Sequence, residues 1–293
     1  MAKVGIVIVN YNGEKYQNDC MKSLYEMDNQ DFEIIVVDSG SKDKSIQLLR
    51  DEYPNVHILE QGDNVGVAVG NNIGIEYSIS LGTKYTLLLN NDIEVDSKLL
   101  GELLKAAQKA RVVVPKIYYY EPHNLLWFAG GKLDWGKGSA AHVGIHEEDH
   151  GQYDQEKMID YSPTCCMLIE NGVFAEVGKM DEKLFMYYDD TDFCAKLAEK
   201  NISILYEPKA FMWHKVSSSS GGENSKVNVY YMFRNQLYYM KKHRDRCPWY
   251  SWIYAVSRAG AKYILHGIRC KNDKYIAVAY ADYLHHKMGR KEF

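Results

Sequence analysis

The sequence predicts an α/β protein with a mostly parallel sheet and helices on both of its faces. Through the first 120 residues, short apolar runs alternate with helical patterns, and that order is typical of a parallel sheet. The chain has 293 residues, 46% of them hydrophobic, which is enough to bury a large core and excludes a mainly disordered protein. No run of 18 apolar residues occurs, so no membrane-spanning helix is predicted.

Five apolar runs in this first part have the length and composition of buried strands. They lie at 4–9, 34–37, 56–59, 85–89 and 112–117. The segments between them have the apolar spacing of helices that pack on a sheet by one face. These helices are predicted over 14–27, 43–53, 66–81 and 97–110.

The pattern loosens after residue 120, where glycine and aromatic residues become frequent. We predict strands at 164–169 and 202–206, with a helix at 190–200 between them. The Ser-Gly run at 217–222 is typical of a loop, and the chain beyond it has a helical pattern to its end.

Charge is distributed unevenly along the chain. The net charge is −4, but residues 226–293 carry +10 and the remainder carries −14. Within the basic segment, residues 249–269 form an amphipathic pattern with two faces. The apolar stripe contains Trp249, Trp252, Ile253, Val256, Tyr263 and Ile264, and the other face contains Ser251, Arg258, Lys262 and Arg269. This pattern is consistent with a helix on an anionic membrane or with a helix packed on the protein core. A nucleic-acid partner is not expected, because no binding motif is present and the body is acidic.

The first residues of the chain and its cysteines indicate the cellular compartment of the protein. The apolar run at 4–9 is too short for a signal peptide, and none of the six cysteines forms a CxxC pair. We therefore expect a cytoplasmic protein with reduced thiols.

Polar loops follow three of the predicted strands, at 10–13, 38–41 and 90–92. Because the carboxyl ends of parallel strands meet at one edge of a sheet, these loops are expected to lie together. Each residue type could serve a nucleotide diphosphate: a ring such as Tyr11 can stack on a base, a carboxylate such as Asp38 can accept the N3–H of a pyrimidine, and Asp92 can offer oxygen to a divalent cation that neutralises the diphosphate. The alternative is that Asp38 and Asn90 only end their strands as turn residues.

Glycines recur every fourth residue at Gly66, Gly70 and Gly74. We interpret Gly70 and Gly74 as sites of close helix packing on the sheet. Asn64 and Gly66 stand at the predicted helix start, where backbone N–H groups meet a phosphate or a sugar in other proteins. The chain has neither a GxGxxG fingerprint nor a P-loop, which excludes the usual dinucleotide and nucleoside triphosphate sites.

A second acidic cluster lies far along the chain, where Asp189, Asp190 and Asp192 fall within four residues. Crowded carboxylates are typical of a metal site, a cationic partner or a catalytic base with a raised pKa. The alternative is the N-terminus of a helix, with Asp189 or Asp190 as its cap. His214 follows just before the serine loop; alone, a histidine is more often a surface or core residue.

Taken in order, these segments resemble family 2 glycosyltransferases of the GT-A fold, close to the rhamnosyltransferase-like group. The resemblance is carried by IVIVNYNG (6–13), VVDSGSKDKS (36–45), NVGVAVGNNIGI (64–75), LLLNNDIEVD (87–96), VGKMDEKLFMYYDDTDFC (177–194), HKVSSSSGG (214–222) and YYMFRNQLYYMKKH (230–243). It implies a GT-A domain over 1–225, with a nucleotide-binding half at 1–118 and an acceptor-binding half at 119–225. A basic helical extension occupies 226–293.

The resemblance also assigns roles. Tyr11 and Asp38 would hold the base, with Asn64, Gly66, Asn90 and Asn91 completing the nucleotide-sugar site. Asp92 and His214 would bind a divalent metal, Mn²⁺ or Mg²⁺, although Asn90 replaces the first acid of the family's Asp-x-Asp motif. Asp190 would be the general base, and Asp189 stands where the family has glutamate.

The implied reaction is inverting transfer of a sugar from a nucleotide-diphosphate donor, such as dTDP-rhamnose or a UDP-hexose. The acceptor would be a hydroxyl of a glycan or a lipid-linked sugar in cell-surface polysaccharide synthesis, with the enzyme in the cytoplasm or at the inner face of the membrane. Two alternatives remain, a nucleotidyltransferase and a non-catalytic sugar-nucleotide-binding protein with a decayed metal site.

Overall fold

The structure is a computed structural model that describes residues 3–215, 225–266 and 271–293. The strands in these residues are β1 (Val4–Asn10), β2 (Phe32–Asp38), β3 (His57–Glu60), β4 (Tyr85–Leu89), β5 (Ile93–Val95), β6 (Val112–Tyr119), β7 (Leu126–Phe128), β8 (Gly131–Asp134), β9 (Ser139–His142), β10 (Lys157–Ile159), β11 (Cys166–Glu170) and β12 (Ile204–His214). The α-helices are α1 (Glu14–Tyr25), α2 (Ser45–Glu52), α3 (Gly66–Ser80), α4 (Leu99–Ala106), α5 (Gly172–Val177), α6 (Asp189–Glu199), α7 (Lys226–Lys242), α8 (Trp249–His266) and α9 (Tyr275–Leu284). A 3₁₀ turn at Lys271–Lys274 precedes α9.

A single large sheet organises the molecule, in the strand order β10-β12-β6-β11-β4-β1-β2-β3. Strands β4, β1, β2 and β3 are parallel, and β11 runs antiparallel between β4 and β6. Strand β12 is parallel to β6, so its carboxyl end faces the same edge as those of β1, β2 and β4. This arrangement confirms the predicted α/β class and brings the polar loops to one edge of the sheet.

Helix α3 lies close against β1 because two of its residues are glycines. A Cβ atom added at Gly70 would come within 2.8 Å of the Val9 side chain, and one at Gly74 would overlap Val7. The prediction that these glycines serve close helix packing is confirmed.

The structure differs from the prediction in its less regular parts. Five short strands, β5 and β7–β10, and the six-residue helix α5 are additional. Strand β12 continues to His214 instead of ending at 206, because the chain bulges between Glu207 and Phe211 and then resumes pairing with β6. The predicted helix to the end of the chain is wrong for residues 285–293, which follow α9 without helical structure. The predicted loop at 217–222 lies outside the described residues.

Helix α8 agrees in part with each interpretation of the amphipathic pattern: one side packs on the protein, and the other side remains exposed. Its small residues Ser251 and Ala255 are buried against the protein, and the Trp252 ring packs near Tyr283, with the ring centroids 6.2 Å apart. Trp252 and Ser251 therefore belong to the packed side rather than to the apolar and basic faces predicted for them. Large apolar side chains remain exposed on the other side, as the 76% exposure of Trp249 shows.

The cysteines and the apolar length of the helices were also predicted from the sequence. The five described cysteines are buried free thiols, as predicted, and Cys270 lies outside the described residues. In the part of the chain that the structure covers, no helix is long and apolar enough to cross a membrane.

Candidate active site

The side chain of Asn10 joins the ends of three strands. Its Nδ2 atom donates to Asp38 Oδ1 at 3.0 Å and to Ser45 Oγ at 3.0 Å, and its Oδ1 atom accepts from Asn91 Nδ2 at 2.9 Å. Asn10 is fully buried at the end of β1, so these bonds fix the loops after β1, β2 and β4 relative to one another. The predicted meeting of the polar loops is thus present in detail.

Asp38 serves this junction as a turn residue. Its Oδ1 atom accepts from the Ser41 hydroxyl at 2.5 Å as well as from Asn10, and its Oδ2 atom accepts from the Ser41 backbone N–H at 3.0 Å. Asp38 is 3% exposed. The turn interpretation therefore accounts for its position, and contact between Asp38 and a base stays a prediction.

A cavity of about 140 Å³ opens beside this junction. Its lining contains most of the residues predicted to hold the nucleotide sugar. They are Tyr11, Asn64, Gly66, Asn90 and Asn91, and the lining also includes Asp92, which is predicted to bind the metal. The Tyr11 ring is half exposed at 47%, as a stacking platform must be.

Ser39 also lines this cavity, although it was not among the predicted site residues. It is 1% exposed, and its hydroxyl has no hydrogen-bond partner among the described residues. A buried hydroxyl without a partner costs free energy, so a bound ligand is the natural partner for it.

Two backbone N–H groups at the start of α3 are not free to bind a ligand, in contrast to the prediction. The Gly66 N–H donates to the Asn64 side chain at 3.0 Å, and the Val67 N–H donates to the Phe185 carbonyl at 2.8 Å. Both amides are therefore engaged inside the protein rather than offered to a phosphate. Gly66 is required here because its φ is +81° and an added Cβ would overlap the Phe185 backbone.

Asp92 and His214 lie 122 residues apart in the sequence but form one pair. The His214 Nε2 atom is 3.1 Å from Asp92 Oδ1, and both residues are buried. Asp92 follows β4 and His214 ends β12, so the common sheet edge creates the contact. The Nδ1 atom of His214 is buried without a partner among the described residues.

A second cavity, of about 450 Å³, begins at this pair. Asn90, Asp92, Val67 and Met186 line both cavities, so the two adjoin at the carboxyl end of β4. The acid pair lies in the larger cavity together with His214. The geometry thus joins the cavity beside the Asn10 junction to a second chamber that contains two carboxyl groups.

The two acids in that chamber have different surroundings. Asp190 is half-buried; its Oδ2 atom accepts from the Tyr161 hydroxyl at 2.9 Å, and its Oδ1 atom accepts from the Thr191 hydroxyl at 3.0 Å. Burial raises the pKa of Asp190, and these hydrogen bonds offset the rise only in part. Asp189 is buried; burial, with the charge of Asp190, raises the pKa of Asp189 to about 8. Both acids lie in the first turn of α6, as the helix N-terminus interpretation predicts, but Tyr188 occupies the cap position, so neither acid is the cap.

Residues 5–173 match the family described as Glycosyl transferase family 2, which is more than half of the chain. The chain belongs to glycosyl transferase family 2. This result confirms the resemblance that the sequence motifs carry, and the protein is a glycosyltransferase.

Two relatives of known class cover most of this glycosyltransferase. The low-salt glycan biosynthesis hexosyltransferase Agl10 of Haloferax volcanii is 29% identical over 239 residues, covering 80% of this chain and 74% of the relative. An N-acetylglucosaminyl-diphospho-decaprenol L-rhamnosyltransferase of Mycobacterium tuberculosis is 24% identical over 242 residues, covering 74% and 77%.

A solved structure supports the fold. The crystal structure of GalNAc-T7 with UDP, GalNAc and Mn²⁺ superposes with a TM-score of 0.68 at 16% identity. The match covers 97% of this glycosyltransferase and 56% of that longer chain. Together with the family match, it shows that the architecture is the predicted GT-A fold with additional C-terminal helices.

The residues around Asp92 suit a divalent metal that is held partly by the protein and partly by a diphosphate. In the described part of the glycosyltransferase, no three His, Cys, Asp or Glu side chains are grouped to hold a metal by themselves. Hard cations such as Mg²⁺ are commonly held by one or two carboxylates plus substrate phosphates, and Asp92 provides one such carboxylate, with the His214 Nε2 atom 3.1 Å from its Oδ1 atom. The donor set therefore fits a metal that binds together with the nucleotide.

Asp192, the third acid of the cluster, has a structural role. It is fully buried and accepts from Lys242 Nζ at 2.8 Å and pairs with His243 Nε2 at 2.9 Å. On the same helix α7, the Asn235 Nδ2 atom donates to the carbonyls of Met186 and Tyr187 at 2.9 and 3.0 Å. Helix α7 thus anchors both α6 and the loop that carries the acid pair.

Tyr161 and His142 are site residues that the sequence did not reveal. Both line the larger cavity, and the His142 Nδ1 atom donates to the Trp127 carbonyl at 3.1 Å. Burial lowers the pKa of His142. Neither residue belongs to a recognisable motif, because each comes from the loosely patterned region after residue 120, and no sequence signal would have identified them.

Proposed function

We propose that this glycosyltransferase moves a hexosyl or rhamnosyl group, with inversion, from a nucleotide-diphosphate donor to a hydroxyl of a glycan or lipid-linked acceptor. The observation that carries the proposal is the position of the Asp92–His214 pair, at the junction of two cavities. One cavity suits the nucleotide, and the other contains the acid pair that would act on the acceptor.

The donor would lie across the junction. Tyr11 would stack on the base, the buried Ser39 hydroxyl would bond to the nucleoside, and Asn90 and Asn91, which line the same cavity, would border the diphosphate. Asp92 and His214 would hold a divalent metal, Mn²⁺ or Mg²⁺. When bound, such a metal neutralises the diphosphate and stabilises it as a leaving group.

In the larger cavity, Asp190 would act as the general base. Its ionised carboxylate accepts the proton of the acceptor hydroxyl while that oxygen bonds to the anomeric carbon and the bond to the diphosphate breaks. Tyr161 holds the carboxylate by a 2.9 Å hydrogen bond that favours its ionised form. Burial and the charge of Asp190 raise the pKa of Asp189, so the acid pair would retain a proton more readily than two exposed carboxyl groups, which limits the negative charge in the cavity.

The proposed classes of donor and acceptor are supported by the names of the relatives and by the exposed surface of helix α8. One relative is a hexosyltransferase of glycan biosynthesis, and the other is named for a rhamnosyl transfer to a diphospho-decaprenol-linked sugar. The exposed apolar side chains Trp249, Ile253 and Ile264 would place this enzyme at a membrane surface, where a lipid-linked acceptor is found.

Of the two alternatives, the nucleotidyltransferase is not supported by the family match. A non-catalytic protein with a decayed metal site is the second candidate, because Asn90 stands in place of an acid. The two retained carboxyl groups in the larger cavity favour an active enzyme over this candidate.

Asp190→Asn tests the proposal in a transfer or hydrolysis assay with dTDP-rhamnose and UDP-hexoses, with and without Mn²⁺ or Mg²⁺. We expect the wild type to release nucleoside diphosphate and the variant to retain donor binding but lose turnover by about 10²-fold or more. Asp245→Asn, at an exposed surface position, serves as the control and should behave as the wild type. A wild type that binds donors without turnover would favour the non-catalytic candidate, and full turnover by the variant would remove Asp190 from its role.

A further inference from the structure

The end of the chain returns from α9 to the cavity of about 140 Å³ that would hold the nucleotide, which we name the donor cavity. Residues 287–293 follow α9 without helical structure and form this C-terminal strap. Helix α7 holds the strap in place: the buried Arg234 side chain donates to the Gly289 carbonyl at 2.9 Å, and the Tyr231 hydroxyl accepts from the Lys291 N–H at 2.7 Å. The strap is therefore attached to α7 through its backbone.

Arg290 connects the strap to the loop between β3 and α3. Its Nη1 atom donates to Asp63 Oδ1 at 2.5 Å and to the Asn64 carbonyl at 3.5 Å. Asn64 lines the donor cavity, and its side chain accepts from the Gly66 N–H at 3.0 Å. The hydrogen bond from Arg290 lowers the pKa of Asp63, so the two side chains form an ion pair at neutral pH. The guanidinium group thus binds the residue next to the wall of the donor cavity.

The β3–α3 loop also packs against the loop after β2, which carries Ser39. A Cβ atom added at Gly40 would come within 2.8 Å of the Asp63 backbone, so the two loops are in close contact. The Ser39 hydroxyl lines the donor cavity and has no hydrogen-bond partner among the described residues. A shift of Asp63 would therefore move Asn64 and loosen the support of the loop that carries Ser39.

The strap residue before Arg290 contacts another loop of the same cavity. The Gly289 N–H donates to the Lys183 carbonyl at 3.0 Å. Phe185, two residues further on, lines the donor cavity, and its carbonyl accepts from the Val67 N–H at 2.8 Å. Two consecutive residues of the strap thus bind two loops that form the donor cavity.

We propose that Arg290 is a positioning residue for the donor, because its ion pair with Asp63 holds the β3–α3 loop in the conformation that binds the nucleotide. The two side chains lie 227 residues apart in the sequence and are 41% and 81% exposed, so their pair contributes little to global stability. A loop that is already ordered binds its ligand more tightly, because less conformational entropy is lost on binding. The inference rests on the proposed function, since the cavity must bind the donor, and it extends the donor site to the end of the chain.

Calorimetric titration of UDP and dTDP in the presence of Mn²⁺ measures the effect of this ion pair on nucleotide affinity. We expect Arg290→Gln and Asp63→Asn each to weaken binding about threefold to fivefold, the scale of one exposed ion pair. The double variant should bind no more weakly than either single variant, because both changes break the same contact. Arg244→Gln and Asp245→Asn change the members of another exposed ion pair and should bind as the wild type. Unchanged affinity in both Arg290→Gln and Asp63→Asn would overturn the proposal.

Three comparisons distinguish positioning from other roles of Arg290. If Arg290 contacted the nucleotide itself, Asp63→Asn would leave affinity unchanged or strengthen it, and the positioning role would be wrong. Arg290→Lys retains the charge and should keep most of the affinity; binding as weak as that of Arg290→Gln would contradict a role of the ion pair. The melting temperature of each single variant should stay within about 2 °C of the wild type. A large fall in melting temperature would assign the effect to the fold as a whole and overturn the proposal.

Turnover of a sugar nucleotide is measured for the wild type and Arg290→Gln in the same series. We expect KM for the donor to rise with kcat nearly unchanged, because Arg290 acts on binding. A fall in kcat with an unchanged KM would contradict this role. Nucleotide binding that is equal in the wild type and the variants would refute the positioning role and leave the proposed function intact. Absence of both nucleotide binding and turnover in the wild type would instead count against the proposed function.

Discussion

Single buried polar groups along the two adjoining cavities are held in states that cost folding free energy. The Ser39 hydroxyl and the His214 Nδ1 atom have no partners among the described residues, and the buried Asp189 carboxyl has a strongly raised pKa. An unsatisfied buried polar group typically costs about 1–3 kcal/mol. Groups of this kind at one place indicate a site adapted to a ligand rather than to stability alone.

Ser39→Ala distinguishes a role of the Ser39 hydroxyl in ligand binding from a role in stability. The substitution removes a hydroxyl that nothing in the described protein satisfies, so the melting temperature should stay unchanged or rise. Affinity for the nucleotide diphosphate should fall several-fold, because a bond to the ligand is lost. Calorimetric titration and thermal unfolding of the same sample measure both quantities. Lower stability together with unchanged affinity would show that Ser39 serves the fold.

The Asp189 carboxyl makes stability depend on pH. Its pKa is about 8 in the folded protein against an ordinary value of 3.8, so between these values the folded chain holds a proton that the unfolded chain has lost. Stability therefore falls as the pH rises through this window. We expect the melting temperature of Asp189→Asn to exceed that of the wild type by a margin that grows from about pH 5 to about pH 8 and then levels off. Asp245→Asn is the control, and a margin independent of pH would contradict the raised pKa.

Elements with a strong local pattern were predictable, and elements formed by pairing alone were not. Strands β1, β2 and β4 are continuous apolar runs, so the sequence predicted them to within a few residues. The short strands β7–β10 have no such run, because their partners determine their conformation. The site followed the same rule: Asp92 and Asp190 belong to motifs, whereas Tyr161 reaches Asp190 only through tertiary packing.

Helix α7 is the element that holds the loop before the acid pair in a costly conformation. Tyr187 and Tyr188 have positive φ angles of 62° and 67°, and the Asn235 side chain bonds to the carbonyls of Met186 and Tyr187. Asn235→Ala should lower turnover by about tenfold, because Asp190 is then less well positioned. Nucleotide affinity should remain, since Asn235 is outside the donor cavity.

Lys241→Ala, an exposed change on the same helix, is the control for Asn235→Ala. Turnover and affinity are measured for both variants by steady-state kinetics and calorimetry. A fully active Asn235→Ala variant would show that the loop holds its conformation without this contact.

Across the whole molecule, much of the basic excess of residues 226–293 has internal uses. Arg234 is buried and donates to the Gly289 carbonyl at 2.9 Å, and Lys242 pairs with Asp192. Arg290 returns to the nucleotide side and pairs with Asp63 at 2.5 Å. Net charge alone is therefore a weaker argument for membrane contact than the exposed apolar stripe on α8.

That stripe leads to a prediction for the whole enzyme. Wild-type protein should float with anionic vesicles, and Trp249→Ala/Ile253→Ser/Ile264→Ser should not, because burial of apolar surface contributes about 25 cal/mol per Å². Tyr25→Ala/Ile79→Ser/Ile145→Ser changes three exposed apolar residues elsewhere and serves as the matched control. Wild-type protein that stays unbound at low salt would rule out membrane contact through α8.

The central claim is that the fold assembles a donor site from Asp92 after β4 and His214 at the end of β12. Its most direct test is calorimetric titration of UDP and dTDP into wild type and Asp92→Asn, each with and without Mn²⁺. The account predicts that Mn²⁺ strengthens nucleotide binding by the wild type about tenfold or more, and that Asp92→Asn loses this gain while keeping its fold. A variant that keeps the full Mn²⁺-dependent gain in affinity would contradict the account.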